Sequence, residues 1–252
     1  MNADYDNFSY PPTGERTCVN PFKKAVDIVM KRPSSARWLS RALLRIDQKV
    51  YSYLTSFTPA AEGGLHPKHR LMNYHKFFVD NLKEGETVLD VGCGNGALLR
   101  DVALKSKAFT VGVELTKNNI ISARRRVCDL SNVKVIEVDV WNYTDDRQFD
   151  AIILSNVLEH MDRRPDLLRF LEQNFKPKKF LIRVPMFERE WLVPYKKELG
   201  IEWRLDQTHR VEYREDELRN ELNEAGLAIQ EIRFKWGEMY VVAIPGRDKG
   251  NA

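Results

Sequence analysis

The chain has 252 residues, 43% of them hydrophobic and 30% charged, with a formal net charge of +4. These are the proportions of an ordinary globular protein, long enough for one large α/β domain or a catalytic domain with an added segment. No apolar run reaches the roughly 18 residues that span a bilayer, Met1–Tyr10 lacks the apolar core of a signal peptide, and the mild positive charge admits an anionic substrate without requiring nucleic acid. Cys18, Cys93 and Cys128 lie far apart and show no metal-ligand spacing. The expectation is therefore a reduced, cytoplasmic setting and no metal.

Residues 1–30 are polar, contain Pro11-Pro12 and read as a loose arm. Residues 31–82 read as a helical segment. Leu39, Leu43, Ile46, Val50 and Leu54 recur at helical spacing over Ser34–Phe57, behind an N-cap serine. Pro59-Ala60-Ala61-Glu62-Gly63-Gly64 is expected to break that helix, and a second helix is expected over His69–Leu82.

Residues 83–246 read as one domain of alternating strands and helices. Short apolar runs suited to buried parallel strands are Thr87–Val91, Phe109–Val113, Val133–Val138, Ala151–Leu154 and Phe180–Val184, separated by amphipathic Ala97–Lys105, Lys117–Leu130 and Pro165–Phe175. This is the pattern of a parallel sheet with helices on both faces. A helix over Glu215–Ala225 stops at Gly226. The runs Leu227–Phe234 and Met239–Ile244 are joined by a turn at Trp236-Gly237, too short for anything but an antiparallel hairpin. The predicted fold is thus α/β and Rossmann-like: a seven-stranded, mostly parallel sheet ending in an antiparallel hairpin, with extra N-terminal helices.

The first strand runs into Asp90-Val91-Gly92-Cys93-Gly94-Asn95-Gly96 and then a helix. Glycines permit the tight turn and let a ligand approach the backbone, and the helix N-terminus offers free N–H groups and partial positive charge. Alone, such a loop serves an adenosyl or a dinucleotide ligand equally. Glu114 ends the second strand, where an acid can take both ribose hydroxyls. Asp139 ends the third, within reach of an adenine amino group, and Ser155-Asn156-Val157-Leu158-Glu159-His160 follows the fourth. All four features lie at the carboxyl ends of strands, where open α/β sheets bind ligands.

These residues resemble the class I S-adenosylmethionine-dependent methyltransferases, in particular the broad group that includes the ubiquinone- and menaquinone-biosynthesis enzymes. The resemblance is carried by Val88–Leu98, Val111–Glu114, Val135–Val140 and Phe149–His160, and extends over about residues 65 to 245. It implies that Asp90, Gly92 and Gly94 surround the methionine part of the donor, that Glu114 holds the ribose, that Asp139 and Val140 flank the adenine, and that Asn156 lies near the methionine moiety. Two departures narrow the chemistry. Ser-Asn-Val-Leu replaces the Asn/Asp-Pro-Pro-Tyr/Phe motif of enzymes that methylate planar amino groups, and no Pro-Cys pair supplies a cytosine-C5 nucleophile. Both disfavour nucleic-acid bases as acceptors.

Pro185–Arg210 is too long for a plain connection and rich in aromatic and charged residues, so residues 185–210 are a candidate substrate cover, or a surface excursion packed on the domain. Methyl transfer is an in-line attack that needs alignment and, for O–H or N–H acceptors, removal of a proton. His209, His160 and Glu159 are the acid/base candidates, with helix capping as the structural alternative for His160. Trp191 and Tyr213 in or beside the cover, and Arg70 and Tyr74 before the first strand, are candidate substrate contacts, against plain packing or surface roles. Arg37, Arg41, Arg45 and Lys49 form a basic stripe beside the apolar face of Ser34–Phe57. That pattern suits either a solvated helix face or a peripheral membrane contact through residues 34–57.

The expected activity is S-adenosylmethionine-dependent methylation of an O, N or C nucleophile on a small molecule, lipid or sugar. The competing readings are an NAD-dependent oxidoreductase, disfavoured by Gly-x-Gly-x-Gly in place of Gly-x-Gly-x-x-Gly and by the terminal hairpin, and a non-catalytic scaffold that keeps the fold.

Overall fold

A computed structural model describes residues 21–64 and 66–246, so the expectation for residues 1–20 lies outside the described residues. The chain divides into two compact units at Gln48/Lys49.

The first unit contains α1 (Pro21–Met30) and the start of α2 (Pro33–Ala61). The expected loose arm is thus corrected over 21–30. Proline opens α1 at its first helical position, where no N–H is needed, and Val26, Val29 and Met30 recur on one stripe. Helix α2 continues through Pro59 and ends at Ala61, within the expected break over Pro59–Gly64. The N–H that proline lacks is partly replaced by Thr58, whose Oγ1 donates to Thr55 O at 3.4 Å. The chain leaves the helix at Gly63 and Gly64, both at positive φ.

The expected helix over 69–82 is two short ones, α3 (Lys68–Leu71) and α4 (Lys76–Asp80). Asn73 between them adopts a left-handed φ of 49° and breaks the helical path. Phe77, Phe78 and Leu82 pack with Val88, Val102 and Ile153. This stretch therefore belongs with the sheet, and the division falls inside α2 rather than near residue 82.

The sheet has seven strands: β1 (Thr87–Val91), β2 (Phe109–Glu114), β3 (Val133–Glu137), β4 (Ala151–Ser155), β5 (Lys179–Pro185), β6 (Leu227–Lys235) and β7 (Glu238–Pro245). Their order is β3-β2-β1-β4-β5-β7-β6. The pairs up to β4–β5 are parallel, whereas β7 runs antiparallel to both β5 and β6, as the hairpin predicts. Trp236 and Gly237 both sit at positive φ, 57° and 73°, the backbone of a two-residue hairpin turn.

Alternation along the strands feeds two cores. Leu89, Val91, Ile152, Leu154, Phe180 and Ile182 pack with α7 (Arg164–Phe175) and α9 (Glu215–Glu224). Val88, Ala151, Ile153 and Leu181 pack with α4 and α5 (Ala97–Lys105). Helix α6 (Lys117–Arg126) follows β2, and α8 (Leu192–Glu198) lies within the 185–210 segment. β1 pairs with β2 on one side and β4 on the other, so the strand order reverses beside it and opens a crevice at its carboxyl end.

Candidate active site

The glycine loop leaves β1 at Val91 and turns back under β2: the N–H groups of Gly92 and Cys93 both donate to Val113 O, at 2.9 and 3.1 Å. Two glycines are fixed by their surroundings. A Cβ on Gly92 (φ 66°) would lie 3.0 Å from Val157 Cγ2, and one on Gly96 (φ 77°) would lie 2.9 Å from Ala123 Cα, forcing α5 away from α6. Gly94, at φ 53°, has open space where its Cβ would be, so the middle of the loop is bare backbone facing a cavity.

That cavity is a cleft lined by Asp90, Gly92, Gly94, Asn95, Ser155, Asn156 and Arg183, and closed on the other side by His69, Tyr74 and His75. Asp90 is buried and its Oδ2 has no hydrogen-bond partner. Desolvation raises its pKa to about 7 against the opposing pull of Arg183. A buried carboxylate oxygen without a partner is costly, and here it borders the space a ligand would fill. Glu114 folds back on the loop. Its Oε2 accepts from Gly94 N at 3.0 Å and its Oε1 from Leu115 N and Thr116 N at 2.9 and 2.8 Å. The acid that the resemblance assigns to the ribose is thereby held against the glycine that it assigns to the methionine part.

Asp139 and Val140 sit one strand further out and do not line the cleft. They are tied to Glu114 through Val138 N, which donates to Glu114 O at 3.0 Å. One Asp139 oxygen accepts from Trp141 N at 3.0 Å and caps the 3-10 turn Val140–Asn142.

Asn156 is the hub of the opposite wall. It holds a left-handed φ of 57°. Its Oδ1 accepts from Arg183 Nε at 2.9 Å and from Tyr74 Oη at 3.3 Å, while its Nδ2 donates to Glu159 Oε1 at 2.8 Å. Tyr74 Oη also reaches Glu238 Oε1 at 3.3 Å, and Tyr240 Oη donates to Glu238 Oε2 at 2.7 Å. Burial, opposed by Arg183, raises the Tyr74 hydroxyl well above its ordinary value, so it stays a neutral donor. Nearby, desolvation first, then His75, Lys68 and Arg183, push His69 down to about 4. Burial also lowers His75 despite its 2.7 Å bond to Asp101.

Glu159, His160 and His209 come together although 49 residues separate the two histidines. Their ligand-capable atoms lie within 4.8 Å of one another, and the two imidazoles meet edge to face at 4.7 Å. The backbone secures this meeting, since Arg210 N donates to Glu159 O at 2.6 Å. Glu159 is fully buried, and desolvation raises its pKa to about 7. Desolvation and the nearby His209 lower that of His160.

Three candidate contacts lie elsewhere. Arg70 is exposed and paired with Glu62 at 3.0 Å. Trp191 is 72% exposed at the start of α8. Tyr213 is a core residue, fully buried, with its hydroxyl donating to Glu221 Oε2 at 2.8 Å on the α9 side. A tyrosine two residues before a helix shows the same sequence whether it faces a pocket or a core, so only packing separates the cases. Conversely, Arg183 and Glu238 were missed. The available signal was an arginine inside the apolar run Phe180–Val184, in a strand buried on both faces.

A family model described as a methyltransferase domain matches residues 65–232. The probable (S)-tetrahydroprotoberberine N-methyltransferase 2 of Papaver bracteatum is 41% identical over 83 residues, 32% of this chain and 23% of that protein. The mitochondrial ubiquinone biosynthesis O-methyltransferase of Dictyostelium discoideum is 28% identical over 144 residues, 46% of this chain and 45% of that one. The chain thus spans less than half the length of these relatives. Among solved structures, a SAM-dependent methyltransferase from Aquifex aeolicus superposes with a TM-score of 0.57 at 21% identity, covering 71% of this chain and 93% of that one, a likeness of fold. With the glycine loop, the acid at the end of β2 and the reversed β7 in place, the chain belongs to the methyltransferase-domain family.

Proposed function

We propose that the protein methylates an oxygen or nitrogen nucleophile of a small molecule, with the donor along Asp90–Gly96 and Glu114 and the acceptor beside Asn156, Glu159, His160 and His209. The observation that carries this reading is the Asn156 side chain: it lines the donor cleft and also holds Glu159, so it joins the donor wall to the cluster of proton-accepting groups. The bound donor supplies a sulfonium-activated methyl group. The chain's own residues do the rest. Gly92 and Gly94 let the donor lie against the backbone, Glu114 presents its carboxylate at the loop, and Asn156 sets the position of Glu159. His209, whose Nδ1 is bonded to buried Glu212 at 3.1 Å, is oriented to receive a proton from an acceptor O–H or N–H. The names of the two relatives, one an N- and one an O-methyltransferase, support an acceptor of this size without distinguishing the nucleophile.

Calorimetry with S-adenosylmethionine and S-adenosylhomocysteine, followed by mass spectrometry of amine and phenol panels, tests the proposal. We expect micromolar-range binding of both and a mass gain of one methyl group on an acceptor. Binding of NAD(H) with neither donor form bound would overturn it, and donor binding with no turnover on any acceptor would favour a scaffold.

We further propose that residues 34–57 meet an anionic membrane surface. Ile46, Val50, Leu54 and Phe57 are all more than half exposed on one face of α2, beside the stripe that holds Arg45 and Lys49.

A further inference from the structure

We propose that Glu159, His160 and His209 form a binding site for a first-row divalent transition-metal ion, and that the acceptor is an oxygen nucleophile brought to the donor by that ion. The inference rests on the reading above that this cluster faces the acceptor.

The argument lies in which atoms are engaged and which are left over. His209 Nδ1 bonds Glu212 Oε1 at 3.1 Å, and Glu212 is itself buried and clamped by Arg189 and by Leu205 N. His160 Nδ1 meets Thr208 Oγ1 at 3.0 Å. Each ring is therefore held through Nδ1, which leaves Nε2 to offer a lone pair. Glu159 repeats the pattern: Oε1 accepts from Asn156 Nδ2 at 2.8 Å, while Oε2 is buried and has no hydrogen-bond partner. Three groups, each anchored through one atom, thus present the other. This is the arrangement of metal ligands whose outer atoms are fixed by a second layer of hydrogen bonds, with a carboxylate behind a histidine as its commonest form.

Two imidazoles and one carboxylate suit Zn²⁺, Co²⁺ or Fe²⁺ better than Mg²⁺ or Ca²⁺, which prefer all-oxygen sites, and three protein ligands leave positions open. The ligand-capable atoms lie within 4.8 Å of one another. Ligands around a tetrahedral ion stand about 3.4 Å apart, so closure from the 4.8 Å limit requires a shift of about 1.4 Å or less, available to the exposed ring of His160. Glu159 and His209 are buried and set the fixed side of the site.

An open position beside the donor favours a hydroxyl acceptor, because a bound cation lowers the pKa of an oxygen acid at neutral pH. With the Nε2 lone pair of His209 engaged by the ion, the proton that this histidine would receive in the metal-free site goes to solvent instead, and the hydroxyl oxygen forms the new bond to the methyl carbon. The S–C bond breaks with its electron pair left on sulfur, giving an ether and a neutral thioether.

The test uses untagged full-length protein stripped with EDTA and titrated with CoCl₂, followed by visible absorption and calorimetry. S-adenosylhomocysteine affinity is measured on the same samples. We expect one Co²⁺ per chain with ligand-field bands, at least tenfold weaker binding in H160A, about tenfold weaker in T208V, and none in H160A/H209A, with S-adenosylhomocysteine affinity unchanged in H160A. T208V leaves all three ligands in place and so separates loss of a ligand from loss of its positioning. The site is overturned if the wild type binds no Co²⁺, or if H160A and the double variant bind it as the wild type does. Either result, with S-adenosylhomocysteine still bound, leaves the methyltransferase reading standing, whereas failure of the wild type to bind S-adenosylhomocysteine strikes that reading alone.

Discussion

Arg183, from the middle of the sheet, donates through Nε to Oδ1 of Asn156 at 2.9 Å, holding in place a residue that adopts a left-handed backbone. The same guanidinium lies 3.5 Å from the centroid of the Tyr74 ring and donates from Nη1 to Tyr74 O at 3.2 Å. One buried cation thus joins the fourth-strand motif to the short helices that close the cleft.

Replacing it should be costly on two counts. R183M removes the cation while leaving Glu238 buried 3.9 Å from the vacated position. We expect a loss of about 3 kcal/mol of stability, typical of a broken buried pair, and at least tenfold weaker donor binding because Asn156 and Tyr74 lose their shared anchor. Urea unfolding and calorimetry read both effects. Wild-type donor affinity in a folded R183M would refute the anchoring role.

Glu114 and Gly94 meet through one hydrogen bond, and each substitution tests the donor site differently. E114A should abolish measurable donor binding with a native circular dichroism spectrum, since the side chain bonds only nearby backbone N–H groups. G94V forces a branched side chain into open cleft space at φ 53° and should do the same by obstruction and strain. Retained affinity in both would place the donor elsewhere.

Asp90 makes the stability of the free protein depend on pH. Its pKa is about 7 in the folded chain against an ordinary 3.8. Between those values the folded state binds a proton that the unfolded state does not. Its contribution therefore disfavours folding at pH 8 and fades as the pH falls through 7 toward 4. The wild type should gain about 1 kcal/mol or more, relative to D90N, between pH 8 and pH 5, measured by urea unfolding at both. Parallel profiles for the two proteins would remove Asp90 as the source.

The exposed stripe on α2 predicts binding to vesicles containing phosphatidylserine that weakens with salt, and little binding to phosphatidylcholine alone. V50E/L54E should lower the bound fraction at least fivefold in co-sedimentation. Equal pelleting of wild type and variant would show that this face does not contact the lipid.

The strand–helix alternation, the glycine loop and the reversed last strand were legible in the sequence because each follows from local chemistry: continuous apolar runs, glycines at positive φ, and a connection too short to cross over. Asp90, Glu114 and Asn156 could be placed at strand ends for the same reason. One helix break escaped the reading. Asn73 acts through a single backbone angle, which composition does not reveal, and the apolar Val26, Val29 and Met30 of α1 were lost among polar neighbours.

By itself, then, the sequence determined the architecture and the donor end of the site, since both are written in residues close together along the chain. Only the tertiary structure decided the rest. It carried Tyr213 into the core, left Arg70 and Trp191 at the surface, and buried Arg183 between Asn156 and Glu238. It also brought His209 against Glu159 and His160 across 49 residues. The physical reason is that burial and long-range pairing depend on how the layers pack, and a side chain's local sequence is the same on either side of that outcome.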